Sequence, residues 1–301
     1  SVENLALLRD PQSGVSVALA QGGLTSATES PAVRSLGTVF YEPVWVFLRQ
    51  EDLPQPGSRG FRGRGYIGQP GSGTRALAEE LLVMLGQDMS LIKPVDMTAA
   101  EAGEALLRGE LDLAVIVSAW EAPIVRRLLT APGITTLSAP RADAHVALHP
   151  YLSRLVLPRG VGDLASDRPP EDVQLLAVKA SLLVRKDLHP AIQYLLLDAA
   201  SITHGAAGIF NRAGQFPAAE PTDLPLSDTA LQYFRSGVPW LQRNLPFWLA
   251  SIASQLLVLL IPIIGVIYPI FRLLPALFGW SMRQRIFHLY GELKFLEAEI
   301  D

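Results

Sequence analysis

The chain carries the stretch GQPGSGTR at residues 68–75, and this glycine-rich turn leads directly into a strongly helical run at residues 76–85. Glycine lets the backbone approach a ligand closely, and the first amides of a helix have no partner within the helix and carry the positive end of its dipole. The junction therefore predicts an anion site. A phosphate, a dinucleotide and a carboxylate all suit this geometry, so the rest of the chain must decide between them.

The composition limits the classes of function that the chain serves. Its 301 residues are enough for one large or two ordinary domains. Apolar residues make up 49% of the chain and the mean hydropathy is +0.27, which is high for a wholly soluble protein and indicates contact with lipid. A net charge of −4 gives no basic excess, so we expect no nucleic-acid partner. The lack of cysteine excludes disulfides, thiolate metal sites and cysteine nucleophiles.

The apolar excess is concentrated near the C-terminus. Residues 244–271 carry no charged side chain and outnumber the roughly 20 residues that a helix needs to cross a bilayer core. We predict a transmembrane helix there, with a buried core helix as the alternative. More basic residues follow this segment than precede it, which favours a cytoplasmic C-terminus and a large domain outside. Apolar residues at three- and four-residue steps predict an amphipathic cytoplasmic helix at residues 281–301, lying on membrane lipid or against a partner.

Upstream of residue 244, strand patterns alternate with helix patterns. We predict strands at residues 15–20, 37–48, 111–117, 175–178 and 181–184. Thr98 and Glu101 have the spacing of a capping box and begin one of the intervening helices. This alternation favours an α/β fold with largely parallel sheets. Polar stretches at residues 50–65 and 179–186 predict two crossings between domains.

Two nucleotide-binding interpretations compete with a carboxylate at the glycine loop. A Walker A loop needs a lysine directly after its last glycine, whereas Thr74 follows Gly73 here, so we expect no nucleoside triphosphate. Gly71, Gly73 and Ala76 do fit a relaxed dinucleotide pattern, which leaves a membrane-bound oxidoreductase open as an alternative. A tight turn that binds no ligand is a third interpretation.

Motifs for catalysis and metal binding are missing from the sequence. The five histidines form no His-x-His or H-E-x-x-H pair, and Ser72 stands outside a nucleophile-elbow motif with no histidine placed to act as its base. We therefore expect no enzyme activity, no metal and no cofactor.

Several blocks of the sequence, of which GQPGSGTR is the most specific, resemble the TAXI-type solute-binding subunits of tripartite ATP-independent periplasmic (TRAP) transporters. The blocks lie at residues 1–4, 14–21, 40–47, 68–75, 111–115, 149–151 and 182–188, and residues 239–249 and 290–293 are similar to the membrane-anchored branch. The resemblance implies a two-lobed α/β periplasmic-binding-protein fold of type II. Lobe 1 would comprise residues 1–50 and 179–235, and lobe 2 residues 51–178. Family members begin with a strand and a glycine-rich turn that this chain lacks, so we expect lobe 1 to be incomplete at its N-terminus.

The resemblance also implies a function. Such proteins bind a small organic anion or amino acid, such as a glutamate-like amino acid or a dicarboxylate, and deliver it to TRAP-type permease subunits driven by an ion gradient. The implied location is the inner membrane, with the binding domain facing the periplasm. A membrane-tethered sensor that uses the same fold to signal to a kinase or adaptor is the alternative.

The resemblance assigns the ligand clamp to the start of the helix that follows the glycine loop. The amides of Ser72, Gly73 and Thr74, together with the hydroxyls of Ser72 and Thr74, would hold the ligand carboxylate, with Gly71 beside them. Unpaired amides at a helix start favour an anion for the same reason as above.

A second group of ligand contacts is implied at strand ends that face the same cleft. The resemblance places Gln21 after the predicted strand at residues 15–20 and Tyr41 on the predicted strand at residues 37–48, both facing this cleft. Ser118 and Trp120 follow the predicted strand at residues 111–117, at the cleft mouth. There Trp120 would narrow the pocket, or it would only pack on the lobe surface.

Overall fold

The computed structural model describes residues 2–53 and 60–237, together with scattered helical positions between residues 256 and 275. Residues 1–237 form one compact unit and residues 238–301 a second. The helices of the first unit are α1 Val2–Arg9, α2 Gly73–Met84, α3 Ala99–Leu107, α4 Pro123–Thr130, α5 Ala142–Leu148, α6 Pro190–His204 and α7 Asp228–Ser236. Its strands are β1 Val17–Gln21, β2 Val33–Arg49, β3 Gly63–Tyr66, β4 Ile92–Pro94, β5 Leu113–Val117, β6 Ile134–Thr136, β7 Leu152–Leu157 and β8 Val173–Arg185.

The eight strands form one sheet, and the long strand β2 pairs with different neighbours along its first and second parts. The order is β1-β8-β2-β5-β3-β4, with β7 paired to β8 and β6 paired to β2. Residues 33–43 of β2 pair with β8, whereas residues 44–49 pair with β5 and β6. We call β1, β7, β8 and residues 33–43 the first half-sheet, and β3 to β6 with residues 44–49 the second half-sheet. The junction between them lies at residues 43 and 44.

The prediction of largely parallel sheets is wrong. Only β3 pairs in parallel, with β4 and β5, and the five other pairings among the described strands are antiparallel. Parallel neighbours need a crossover connection, and here α2 and α3 provide one between β3, β4 and β5. The long strands β2 and β8 instead run beside each other in opposite directions.

Helices cover both faces of each half-sheet. On the first half-sheet, α1 packs on one face, while Leu197 of α6 and Ala230 of α7 pack beneath Leu36 on the other. On the second half-sheet, α2 packs against Val44 and Val46, while α3 and α4 pack against the alternate residues of β2. Alternate residues of a strand point to opposite faces, which explains why a single strand supports both cores. This is the mixed α/β, two-lobed arrangement that the sequence predicted.

Two of the predicted strands are one strand in the structure. Residues 175–178 and 181–184 both belong to β8, which continues through the buried Lys179. The lysine does not interrupt the strand because its backbone pairs with Tyr41 of β2. The predicted lobe boundaries stay a prediction.

The membrane segments fall largely outside the part of the chain that the structure describes. The described positions within the predicted span at residues 244–271 are helical and their side chains are exposed, and the predicted tail at residues 281–301 lies outside the described residues altogether. Among the described residues, no helix combines the length and the apolarity that crossing a membrane requires.

Candidate functional site

The carboxyl ends of two parallel strands meet at the junction of the half-sheets. Tyr66 of β3 pairs beside Ala114 of β5, so the loop that follows β3 and Ser118, which follows β5, lie at the same edge of the sheet. The Ser118 amide donates to the Pro43 carbonyl at 3.3 Å, which places this edge at the junction. Ligands of open α/β sheets bind outside the carboxyl ends of the strands, so this edge is the candidate site.

The start of α2 provides two free amides at this edge. Ser72 is the N-cap, and its hydroxyl accepts the Arg75 amide at 3.1 Å. The amides of Gly73 and Thr74 have no hydrogen-bond partner among the described residues, and the first turn holds no acidic side chain. The predicted clamp also included the amide and hydroxyl of Ser72, but that amide donates to the Gln69 carbonyl at 3.0 Å and the hydroxyl oxygen already caps the helix. The Gly73 and Thr74 amides remain as the groups that an anion could use.

The glycines of the loop have different uses. Gly68 has φ of 100°, and a Cβ there would lie 2.6 Å from the Arg75 nitrogen, so only glycine allows the loop to fold over the helix start. Gly71 also has a positive φ, of 75°, but a Cβ there would meet nothing within 4 Å. Gly71 thus permits the turn conformation and leaves open space beside the Gly73 and Thr74 amides.

Gln21 reaches the junction from the first half-sheet. It ends β1, and its side-chain amide donates to the carboxylate of Glu42. Burial raises the pKa of Glu42 above the usual range of a glutamate, while the hydrogen bond from Gln21 opposes that rise. Because Glu42 precedes Pro43, Gln21 lies close to the edge that carries Ser118.

Tyr151 connects the two half-sheets on the same face. Its side chain lies against Gly22 and Gly23, which follow β1: a Cβ on Gly22 would come within 2.7 Å of the Tyr151 Cβ, and one on Gly23 within 2.8 Å of the ring. Its hydroxyl donates to a carboxylate oxygen of Glu80 on α2 at 2.8 Å. Asp223 accepts the Gly23 amide at 2.6 Å, and burial raises the pKa of Asp223. Residues 149–151 form one of the blocks that carry the resemblance, but nothing local in the sequence indicates that Tyr151 meets the turn after β1.

Lys179 is a second functional candidate that sequence reasoning missed. Its ammonium donates to the carbonyls of Pro150 at 2.8 Å and Pro221 at 3.0 Å and lies 3.8 Å from the carboxylate of Glu220. Burial lowers the pKa of Lys179, and the nearby carboxylates oppose this. A single lysine within the apolar run of residues 175–184 was the available signal. Its contacts hold the segments that precede β7 and α7 against β8.

Tyr41 and Trp120 face away from the α2 start. Tyr41 and Trp45 alternate with Glu42 and Val44 along β2, and α2 packs on the Val44 face. Tyr41 and Trp120 instead pack with the core around Trp45. The structure therefore places Gln21 beside Glu42 and the Ser118 backbone beside Pro43, whereas Tyr41 and Trp120 lie on the face opposite to α2.

Tyr41 and Trp120 line a cavity of about 440 Å³. Its aromatic lining consists of Phe40, Tyr41, Trp120, His204, Phe210 and Phe216. Tyr41 comes from the first half-sheet, and Trp120 comes from the loop after β5 of the second. The Tyr41 hydroxyl donates to the Glu220 carboxylate, and burial together with that carboxylate raises the pKa of Tyr41 far above its usual value. The phenol is therefore neutral and its hydroxyl is already engaged, so Tyr41 offers the cavity chiefly its ring.

Comparison with known proteins identifies a family. A family model described as the NMT1-like family matches residues 1–235. No curated protein matches the chain.

Solved structures similar to this chain include a binding protein, an ABC transporter and a sensor. The periplasmic aliphatic sulphonate binding protein SsuA of Escherichia coli shows 14% identity over 68% of this chain and 59% of its own, with a TM-score of 0.40. An ABC transporter structure from Parabacteroides distasonis shows 12% identity over 67% and 58%, with a TM-score of 0.38. The periplasmic sensor of the hybrid histidine kinase Hk1 of Borrelia burgdorferi shows 11% identity over 65% and 74%, with a TM-score of 0.32. The chain spans less than two thirds of the length of the first two.

Proposed function

The chain belongs to the NMT1-like family, and from this membership and the geometry of the junction we propose that it is a solute-binding protein that closes its two half-sheets around a small solute. The observation that carries the proposal is the pair of free amides of Gly73 and Thr74 at the sheet edge that adjoins the first half-sheet. A solute held there contacts groups from both half-sheets. Such a solute stabilises the closed arrangement, because only that arrangement offers both sets of contacts.

We propose a small carboxylate as the solute, either a glutamate-like amino acid or a dicarboxylate. The amides of Gly73 and Thr74 carry the positive end of the α2 dipole, which favours a carboxylate. We propose Gln21 and the Ser118 hydroxyl as further polar contacts to the solute. That Tyr41 and Trp120 also contact this solute stays a prediction. The cavity that they line lies on the face of the sheet opposite to α2.

The transport role is part of the same proposal. The bound solute is delivered to TRAP-type permease subunits in the inner membrane, with the binding unit in the periplasm and residues 244–271 as its tether. This transport role rests on the resemblance of the glycine loop to that of TAXI-type solute-binding subunits, and on the apolar C-terminal sequence. Crosslinking in membranes separates transport from sensing: recovery of multi-span permease subunits supports delivery, and recovery of a kinase instead contradicts it.

Removing one amide from the α2 start tests the solute site. Gly73→Pro replaces the amide hydrogen by the proline ring at the first helical position, where proline is tolerated, and Ser72 already has the extended backbone that must precede a proline. Because a hydrogen bond to a charged group contributes about 1.5–3 kcal/mol, we expect succinate or glutamate to bind about tenfold or more weakly by titration calorimetry.

Gly73→Ala is the matched control because it adds a side chain and keeps the amide. Its affinity should stay within a few-fold of the unaltered chain. Succinamide, the neutral diamide of succinate, should bind much more weakly than succinate. Equal loss in Gly73→Ala and Gly73→Pro, or no heat from any small carboxylate or amino acid, contradicts the proposed site.

A further inference from the structure

The cavity lined by Tyr41 and Trp120 has a chemistry that the proposed carboxylate site does not use. Its volume of about 440 Å³ falls within the usual range of small-molecule sites. Six rings line it, and no lysine or arginine stands among the described residues of its lining. Burial lowers the pKa of His204, so the imidazole in the lining is neutral at pH 7. The lining thus offers an anion no positive charge.

The rings are held in place by packing on one another. The Trp120 and Phe210 rings both lie against the fully buried Trp45, at centroid distances of 6.4 and 6.3 Å. Phe216 meets Tyr41 edge to face at 4.9 Å. Fixed rings lose little freedom when a ligand binds, so their faces are prepared for a partner.

A carboxylate stands at the rim of this cavity. Glu121 follows Trp120 directly, its side chain is exposed, and it forms no ion pair within the described residues. The negative face of an aromatic ring attracts cations, and tryptophan does so most strongly. Ring faces and a free carboxylate with no competing cation together define a site for a positively charged organic ligand.

We propose that this cavity binds an organic ammonium cation against the ring faces of Tyr41 and Trp120, with Glu121 at its rim. The site is separate from the carboxylate clamp, because Tyr41 points away from the face on which α2 packs. Its walls come from both half-sheets, so the ligand binds preferentially to one relative arrangement of them and couples to solute binding.

Choline and its uncharged isostere 3,3-dimethylbutan-1-ol test the proposal on the 301-residue chain. The two probes have the same shape and differ in charge. We expect calorimetric titration to show choline binding at least about tenfold more tightly than the alcohol. Equal affinities would show that the cavity recognises only apolar shape, and no heat from choline would show that it has no such ligand; both outcomes overturn the proposal.

Variants locate the binding. Trp120→Leu keeps an apolar side chain and should weaken choline binding at least about fivefold, and Trp120→Phe, which keeps a ring, should retain most of the affinity. Glu121→Gln should weaken choline binding at low salt. The control Glu3→Gln replaces an exposed glutamate on α1 and should leave choline binding unchanged. Full choline affinity in both Trp120→Leu and Glu121→Gln places the cation elsewhere and refutes the site. Succinate titrated into the same unaltered chain reports the carboxylate clamp separately.

Discussion

Buried ionisable side chains mark the junction at the scale of single residues. Glu42 accepts a hydrogen bond from Gln21, and Lys179 binds two backbone carbonyls. The sequence identified Gln21 as a cleft residue but gave no reason to select Glu42 or Lys179. Their partners lie 21 to 42 residues away along the chain, and the pairing depends on the register of β1, β2 and β8. That register is a property of the folded sheet and has no local signal.

The pKa of Glu42 makes a prediction about stability. Burial raises it in the folded state, so the folded protein binds this proton more tightly than the unfolded chain does. The Glu42 carboxyl therefore stabilises the folded state most at pH values below its pKa in the unfolded chain, which is about 4.5. This stabilisation is lost as the pH rises from that value through the higher pKa of the folded state. Glu42→Gln has no carboxyl to ionise, so it removes this pH-dependent loss of stability, and its amide oxygen can still accept the hydrogen bond from Gln21.

The expected result is a pH-dependent difference in thermal unfolding. The midpoint of Glu42→Gln should exceed that of the unaltered chain at pH 7, and the difference should shrink toward pH 4.5. Each kcal/mol corresponds to about 2–4 °C for a chain of this size. Glu3→Gln on α1 serves as the exposed control and should show no such trend. A difference for Glu42→Gln that is constant from pH 4.5 to 7 contradicts the argument.

At the scale of elements, local sequence signals predicted where the helices start to within three residues. The capping box predicted from Thr98 and Glu101 is present at the start of α3: the Thr98 hydroxyl accepts the Glu101 amide at 3.3 Å, and the Thr98 amide donates to the Glu101 carboxylate at 2.8 Å. The helix after the glycine loop begins at Gly73, three residues before the predicted start. Strand direction was not predictable, because β2 and β8 have the same apolar pattern whether their neighbours run parallel or antiparallel.

The capping box provides a test of this element. Thr98→Ala removes the side-chain acceptor and leaves one amide at the start of α3 without its partner. We expect a loss of about 1 kcal/mol in the free energy of unfolding, measured with urea. Thr98→Ser keeps the hydroxyl and should cost much less. If serine and alanine destabilise the protein equally, the cap does not stabilise α3 in this way.

At the scale of the whole unit formed by residues 1–237, the resemblance implied the two-lobed α/β arrangement but not how the candidate site residues divide between the two faces of the sheet. Gln21 contacts Glu42 on the face of β2 on which α2 packs, whereas Tyr41 and Trp120 line a cavity on the opposite face. The resemblance implied that Gln21, which ends β1, and Tyr41, in the middle of β2, face one cleft. The face that each side chain occupies follows from the registers of β1 and β2 with β8, which join segments more than 130 residues apart.

The central claim is that the two half-sheets close on a small carboxylate solute, and a distance measurement tests it most directly. The chain contains no cysteine, so Val83→Cys on α2 and Ile202→Cys on α6, both at exposed positions, accept spin labels selectively. Double electron–electron resonance should show a broad distance distribution without solute. With saturating succinate or glutamate, whichever binds in calorimetry, the distribution should narrow and shift to shorter distances. An unchanged distribution at full occupancy would contradict closure of the half-sheets as the response to the solute.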